Sequence, residues 1–416
     1  MKFVYRLISE FFLLISPIII LFRILKKKES KNRFLERYAF SSVKRKKGKL
    51  IWFHCSSVGE LLSIIPLVEK LELNHKIKQI LITTTTLSSS KIFLNLRLKK
   101  TIHQFFPIDN IIIINKFLKY WQPSIFFLCE SEIWPNLIHS IKKNKIKLVL
   151  INGRMTLKSF KKWKKIKYYA KEIFNKFDLC FAQNKETHKR LIELGVKKII
   201  EIGNLKFTTS QKSKTDFLKN KTINFFKRKR LLITAASTHF NEESFVIENH
   251  LKFKRNNKEK NLVSIIVPRH VERIHQIKND IEKNSLKMHL HSSNNPISVD
   301  TDIYIVDTYG ELNKFYKISN IVFMGGSLIM HGGQNPLEPA KLGCKIIHGP
   351  HISNFEEIYK KLKLMNISKV FKSHNQGHNI IYKLLKKKRL SFENRKLMNY
   401  GQKILNLTYV KILQLI

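Results

Sequence analysis

Short apolar runs alternate with longer stretches of helical apolar spacing over most of this chain. LIWF (Leu50–Phe53) is followed by LLSIIPLVEKL (Leu61–Leu71), where apolar residues recur at helical intervals. The same reading predicts strands over Gln79–Thr83, Ser124–Cys129, Lys147–Ile151, Asp178–Ala182 and Lys198–Ile202, with helical stretches between most of them. A second series covers Leu231–Ala236, Leu262–Pro268, Asp302–Asp307, Asn320–Gly325 and Lys345–Gly349. Alternation of this kind predicts mainly parallel sheets covered on both faces. The segment Thr208–Arg230 is polar and lysine-rich without an apolar period, and is predicted as a linker between domains. Residues 26–207 then form a first domain and 231–416 a second, with a C-terminal helix from about Arg389. A chain of 416 residues fits two domains of about 200 each. The expected architecture is α/β, two doubly wound domains facing a cleft.

The N-terminus departs from this rhythm. FFLLISPIIILF (Phe11–Phe22) is apolar but bounded by Glu10 and Arg23, and is shorter than the about 20 residues a bilayer crossing needs. Lys26, Lys27 and Lys28 follow it, without a small-residue cleavage site. Residues 1–25 are therefore read as an uncleaved membrane anchor, spanning or lying in the interface, with the rest of the chain cytoplasmic. Charge fits such a location. Lys+Arg number 78 against 30 Asp+Glu, a net +48, which asks for a polyanionic partner. The lysines are spread along the whole chain, and no aromatic-rich or groove-reading element accompanies them. An anionic membrane surface or phosphorylated lipid is expected, and no nucleic acid. The four cysteines, Cys55, Cys129, Cys180 and Cys344, have no metal-ligand spacing. At least three end strand-like runs, so buried thiols in a reducing compartment are expected.

Chemistry-bearing residues gather just after predicted strands, where α/β folds place ligands. HCSSVGE (His54–Glu60) puts two serines, a glycine and Glu60 at a helix start; Glu60 is either a cap or a working carboxylate. CESEIWPN offers Glu130 and Glu132, NGRMT offers Arg154, and GNLKF offers Lys206. In the second half, ASTHFNEE supplies Ser237 or Thr238 as helix caps. VPRHVER supplies Arg269 and His270 for a phosphate or carboxylate. DTYGEL and MGGSL supply glycines for close approach to a ligand. GGQNPLEPA places Asn335 and Glu338 three apart on one helical face, the carboxylate suited to ribose hydroxyls.

Taken in order, these motifs resemble those of the Kdo transferases, which transfer 3-deoxy-D-manno-octulosonic acid (Kdo) from CMP-Kdo to a lipid A precursor. The resemblance implies two Rossmann-like domains of the GT-B type and an inverting glycosyltransferase of lipopolysaccharide biosynthesis at the cytoplasmic face of the bacterial inner membrane. It implies Glu60 as general base, with Glu130 and Lys206 stabilising the transition state. It implies that Pro268, Arg269, Tyr309, Gly310, Glu311, Asn335, Pro336, Leu337 and Glu338 hold CMP. Cys55 and Thr208 depart from the family pattern. No cofactor is expected, and the lack of an Asp-x-Asp pair at a strand end favours a metal-free reaction. Lys206 and Arg154 are candidates for the Kdo carboxylate or an acceptor phosphate. A sugar-nucleotide epimerase would share the cleft but leave the apolar N-terminus unexplained. A structural membrane protein would leave five ligand loops without use.

Overall fold

The computed structural model describes residues 1–208, 218–256, 262–386 and 394–416. The chain divides into two compact units, Met1–Ser213 with Tyr400–Ile416, and Lys214–Asn399. In the first unit, β1 (Leu50–Cys55), β2 (Gln79–Thr84), β3 (Thr101–Phe105), β4 (Ile125–Cys129), β5 (Lys147–Gly153), β6 (Leu179–Ala182) and β7 (Ile199–Glu201) form one sheet. Its order is β3-β2-β1-β4-β5-β6-β7, and neighbouring strands all pair in parallel. Strands β1, β2 and β4 are buried at every position, as the unbroken apolar runs require of strands covered on both faces. Trp52 and Phe126 pack with ring centroids 4.0 Å apart, and Phe53 stacks on Phe127 at 4.5 Å.

The second unit repeats the plan with β8 (Arg230–Thr238), β9 (Leu262–Pro268), β10 (Met288–Leu290), β11 (Ile303–Ile305), β12 (Ile321–Met324), β13 (Lys345–His348) and β14 (Ser368–Val370). The order is β10-β11-β9-β8-β12-β13-β14. Sequence patterning did not predict β3, β10 and β14. TIHQF carries polar residues inside the strand, and the other two are three residues long, too short for a period to show.

Three expectations need correction. Residues 220–228 of the predicted linker form a helix, whose Phe226 is buried and meets Tyr304 at 5.2 Å in the core of the second unit; residues 209–217 lie outside the described residues. Ser237 and Thr238 do not cap a helix: β8 runs through both, and the helix begins at Glu243. The C-terminal helix, Arg395–Leu413, was assigned to the second domain, yet from Tyr400 onward it belongs to the first unit. Tyr400 meets Phe207 edge-on at 5.2 Å, and Lys70 Nζ donates to Asn406 Oδ1 at 2.6 Å.

The N-terminal helix α1 (Lys2–Leu25) is twice as long as the apolar run, continuing through Glu10, Pro17 and Arg23. Pro17 has no N–H for the carbonyl of Leu13; Ser16 Oγ donates to that carbonyl instead, at 2.7 Å. Polar groups dock the helix on the first unit. Tyr5 OH donates to Asp109 at 2.7 Å, Asn136 Nδ2 to Ser9 Oγ at 3.1 Å, and Ser16 Oγ lies 2.9 Å from Tyr38 OH. Leu14 and Ile18, by contrast, are 78% and 72% exposed. A helix on a water-soluble surface turns its apolar stripe inward. This one turns most of it outward.

Candidate active site

The HCSSVGE turn joins β1 to α2 (Val58–Glu72), with Ser57 as N-cap. Glu60 is buried, and its carboxylate accepts from Ser56 N–H at 2.8 Å and from Ser57 Oγ at 3.1 Å. Ser57 Oγ accepts from the Glu60 N–H at 3.3 Å, so the turn caps the helix much as a capping box does, with the carboxylate reaching one residue before the N-cap. Burial, and then the charge of Glu130, nonetheless push its pKa up to about 7, against the lowering effect of those hydrogen bonds. A carboxylate near neutrality exchanges protons readily, which suits acid–base work.

Glu130 follows β4 in a left-handed conformation, φ 55°, and Asn152 near the end of β5 does the same at 52°. Such backbone is held only where the surroundings impose it, and clusters at working sites. Lys206 Nζ lies 2.6 Å from Glu130 Oε1 in a largely buried ion pair. A Cβ at Gly59 would lie 4.0 Å from Lys206 Cε, so the lysine stem runs over the Glu60 turn. Glu60, Glu130 and Lys206 therefore form one cluster at the carboxyl edge of one sheet. Arg154 joins its rim, its N–H donating to Glu130 O at 3.3 Å, and Glu132 is half-buried nearby.

In the second unit, the Arg269 N–H donates to Thr238 O at 2.9 Å, tying the loops after β8 and β9 together. Pro268 is buried and ends β9, and the Arg269 side chain is exposed. His239 packs against His331 and His270, with ring centroids 4.2 and 5.8 Å away. Burial first, then His331, His270, Arg269 and Arg273, hold His239 neutral with a pKa of about 4. Arg273 there is paired with Glu243 at 3.0 Å, so the exposed Arg269 is the cation that corner offers a phosphate. Tyr309 OH donates to Glu272 at 3.1 Å, Gly310 turns at φ 88°, and Glu311 pairs with Lys314 at 2.8 Å. Asn335 is not on a helical face with Glu338. The short helix starts at Leu337, after Pro336, and Asn335 Oδ1 accepts from the Leu337 N–H at 3.1 Å. Glu338 keeps exposed surface, yet crowding raises its pKa against the opposing pull of Lys341. A cavity of about 500 Å³ lies beside Gly332, His348, His351 and Tyr359.

The 3-deoxy-D-manno-octulosonic-acid transferase (kdotransferase) family model matches residues 32–209. A 3-deoxy-D-manno-octulosonic acid transferase of Rickettsia bellii is 33% identical over 96% of this chain and 93% of its own length. The chain belongs to the Kdo transferase family. The Kdo transferase of Haemophilus influenzae is 32% identical over 85% of this chain and 84% of its own. Among solved structures, the glycosyltransferase of kitacinnamycin covers 89% of this chain and 99% of its own, with a TM-score of 0.54 at 9% identity, a likeness of fold. As a Kdo transferase the protein is a glycosyltransferase, with the two doubly wound α/β units of the GT-B class.

Several residues that build the candidate site of this transferase escaped sequence reasoning. Asn152 donates to Glu130 Oε1 at 3.4 Å and accepts from the Leu205 N–H at 2.9 Å. Gln183 Nε2 donates to Asn152 O at 2.8 Å, and Asn204 Nδ2 donates to Gln183 Oε1 at 3.1 Å. This buried amide chain sets Glu130 and Lys206 relative to each other. Glu242 is fully buried and accepts from the N–H groups of His239, Gly326, Ser327 and Leu328 at 2.6–2.9 Å, pinning the MGGSL loop. Glu243 grips Arg273 through two 3.0 Å bonds. The available signal was a polar residue at or just past the carboxyl end of an apolar strand. It marks such positions without naming their partners.

Proposed function

We propose that the protein transfers Kdo from CMP-Kdo to the lipid A precursor, lipid IVA, in lipopolysaccharide biosynthesis, with Glu60 as general base. The observation that carries this reading is the Glu60–Glu130–Lys206 cluster, in which a buried carboxylate sits near neutral pKa beside a tightly paired lysine. An acceptor hydroxyl is a weak nucleophile. As its oxygen bonds to the anomeric carbon of Kdo, its proton passes to Glu60, and the bond from that carbon to the phosphate oxygen of CMP breaks. One displacement inverts the anomeric centre. Glu130 and Lys206 stabilise the charge that develops, and Lys206 or Arg154 meets the Kdo carboxylate or an acceptor phosphate.

The second unit holds the nucleotide. Arg269 and loop N–H groups neutralise the leaving phosphate without a metal. Pro268, Tyr309, Gly310, Glu311, Asn335, Pro336, Leu337 and Glu338 complete the CMP site, with Glu338 on the ribose. The exposed Arg269 side chain, on the loop tied to Thr238 beside His239, supports a phosphate there. The enzyme works at the cytoplasmic face of the bacterial inner membrane, held by the apolar outer face of α1 and by Lys26, Lys27 and Lys28. The test is direct: CMP-Kdo and lipid IVA in detergent, with the product weighed by mass spectrometry. A mass gain of one or more Kdo units is expected, and free Kdo without glycolipid product would overturn acceptor transfer.

A further inference from the structure

Beneath α1 lies a cavity of about 400 Å³, within the range of small-molecule pockets. Ile8 and Phe12 of α1 form one wall; Phe106, Pro107 and Ile108 after β3 form another, and Trp134 closes the side. Ile8 and Phe12 are also about half exposed, so the cavity opens on the outward apolar face of the helix. The charged groups at its edge are already satisfied. Arg37 pairs with Glu29 at 3.1 Å and donates to Phe106 O and Thr85 O. Asp109 accepts from Tyr5 OH and from the N–H groups of Asn136 and Leu137. What remains for a ligand is a neutral, mostly apolar wall with two unpartnered polar atoms, Thr85 Oγ1 and Trp134 Nε1, which suits an aliphatic chain with at most a neutral polar group and disfavours an ionic one.

The cavity is joined to the site described above through packed side chains. The ring of Phe106 stacks on His54 at 3.7 Å. His54 Nδ1 stands 3.1 Å from Thr83 O and so carries the proton, which leaves Nε2 to accept from Ser56 Oγ at 3.3 Å. Ser56 N–H in turn holds the Glu60 carboxylate. Trp134 lies four residues beyond Glu130. A chain seated here is thus two rings and one turn away from Glu60, at the same sheet edge.

We infer that this cavity receives one acyl chain of the lipid acceptor and positions its sugar hydroxyl for Glu60, an inference that rests on the acceptor proposed above. The occupant is an acceptor chain rather than a bilayer phospholipid chain, because the cavity wall leads to the catalytic turn as well as to the lipid-facing surface. Binding is read first, without turnover. Acceptor carrying brominated acyl chains should quench tryptophan emission of the wild-type protein, and the quenching should be largely lost in Trp134→Phe. Quenching by brominated phosphatidylglycerol alone would mean a structural lipid and overturn the inference, as would quenching indifferent to Trp134→Phe. Selectivity is read second. Ile108→Trp fills the cavity and should lower the ratio of kcat/KM for acylated over deacylated acceptor by about tenfold. An unchanged ratio overturns the inference even where transfer is robust. Should neither acceptor be glycosylated by wild-type protein, the proposed function fails instead, and the quenching result still decides whether the cavity takes the chain.

Discussion

Glu60 accepts two hydrogen bonds that favour its charged form and still has a pKa of about 7, because burial and the neighbouring Glu130 outweigh them. Glu60→Gln preserves shape but cannot take a proton, so turnover should fall by about 10²–10⁴-fold. CMP affinity, measured by calorimetry, should stay as in the wild type. The pH dependence has a definite sign. A base at Glu60 would work when ionised, so kcat/KM is expected to climb as pH rises through about 7 and then level off. The same shift means that the folded state holds a proton the unfolded chain releases between the ordinary carboxyl value of 4.5 and about 7, so this group's contribution to stability declines as pH rises across that window. A kcat/KM profile without a step near neutrality would remove Glu60 from the role of base. Arg269→Ala and Glu338→Ala should each weaken CMP binding by about 1.5–3 kcal/mol in the same titration. Full affinity in both variants would move the nucleotide elsewhere. Glu60 was legible because a Ser/Gly turn with an acid opens a helix directly after a strand. Asn152, Gln183 and Glu242 were not, because what they do depends mostly on partners 21 to 86 residues away.

At the scale of elements, the short segment Leu205–Phe207 that carries Lys206 is buttressed by the C-terminal helix. A Cβ at Gly401 would stand 2.3 Å from Phe207 O, so only glycine permits this approach. Ordinary helix propensity would favour alanine there by about 1 kcal/mol. Packing reverses that preference. Gly401→Ala should displace Lys206 from Glu130 and lower kcat by up to about 100-fold, with CMP affinity retained. Wild-type kcat in a well-folded Gly401→Ala would show that the helix does not set the lysine. The tail's own apolar spacing predicted that it is a helix; it contained nothing to say which sheet the helix covers. The same holds for residues 220–228, whose polar composition hid a helix that buries Phe226.

For the whole molecule, the question is what holds a chain of net charge +48 at its place of work. Leu14 and Ile18 face outward, so Leu14→Glu with Ile18→Glu should detach the protein from anionic vesicles while leaving Tyr5, Ser9 and Ser16 docked. Release should be fuller at high salt, because screening weakens attractions of about 1 kcal/mol per basic residue. Sedimentation with vesicles measures it, and complete retention at high salt would assign the anchor to another surface. Removing residues 1–25 is a cruder test, since it strips Asp109 of the Tyr5 hydroxyl as well. By itself the sequence determined the α/β class, the two parallel-sheet units, the apolar N-terminus and the positions where acids and bases leave strands. Those features follow from local periodicity and turn chemistry, which neighbouring residues write into the chain. Only the tertiary structure decided that Lys206 pairs with Glu130, that buried amides hold both, that the last helix returns to the first unit, and that α1 docks through polar groups with its apolar face outward. Each of these depends on contacts between residues far apart in sequence, and on how much surface those contacts remove from water, which no local pattern records.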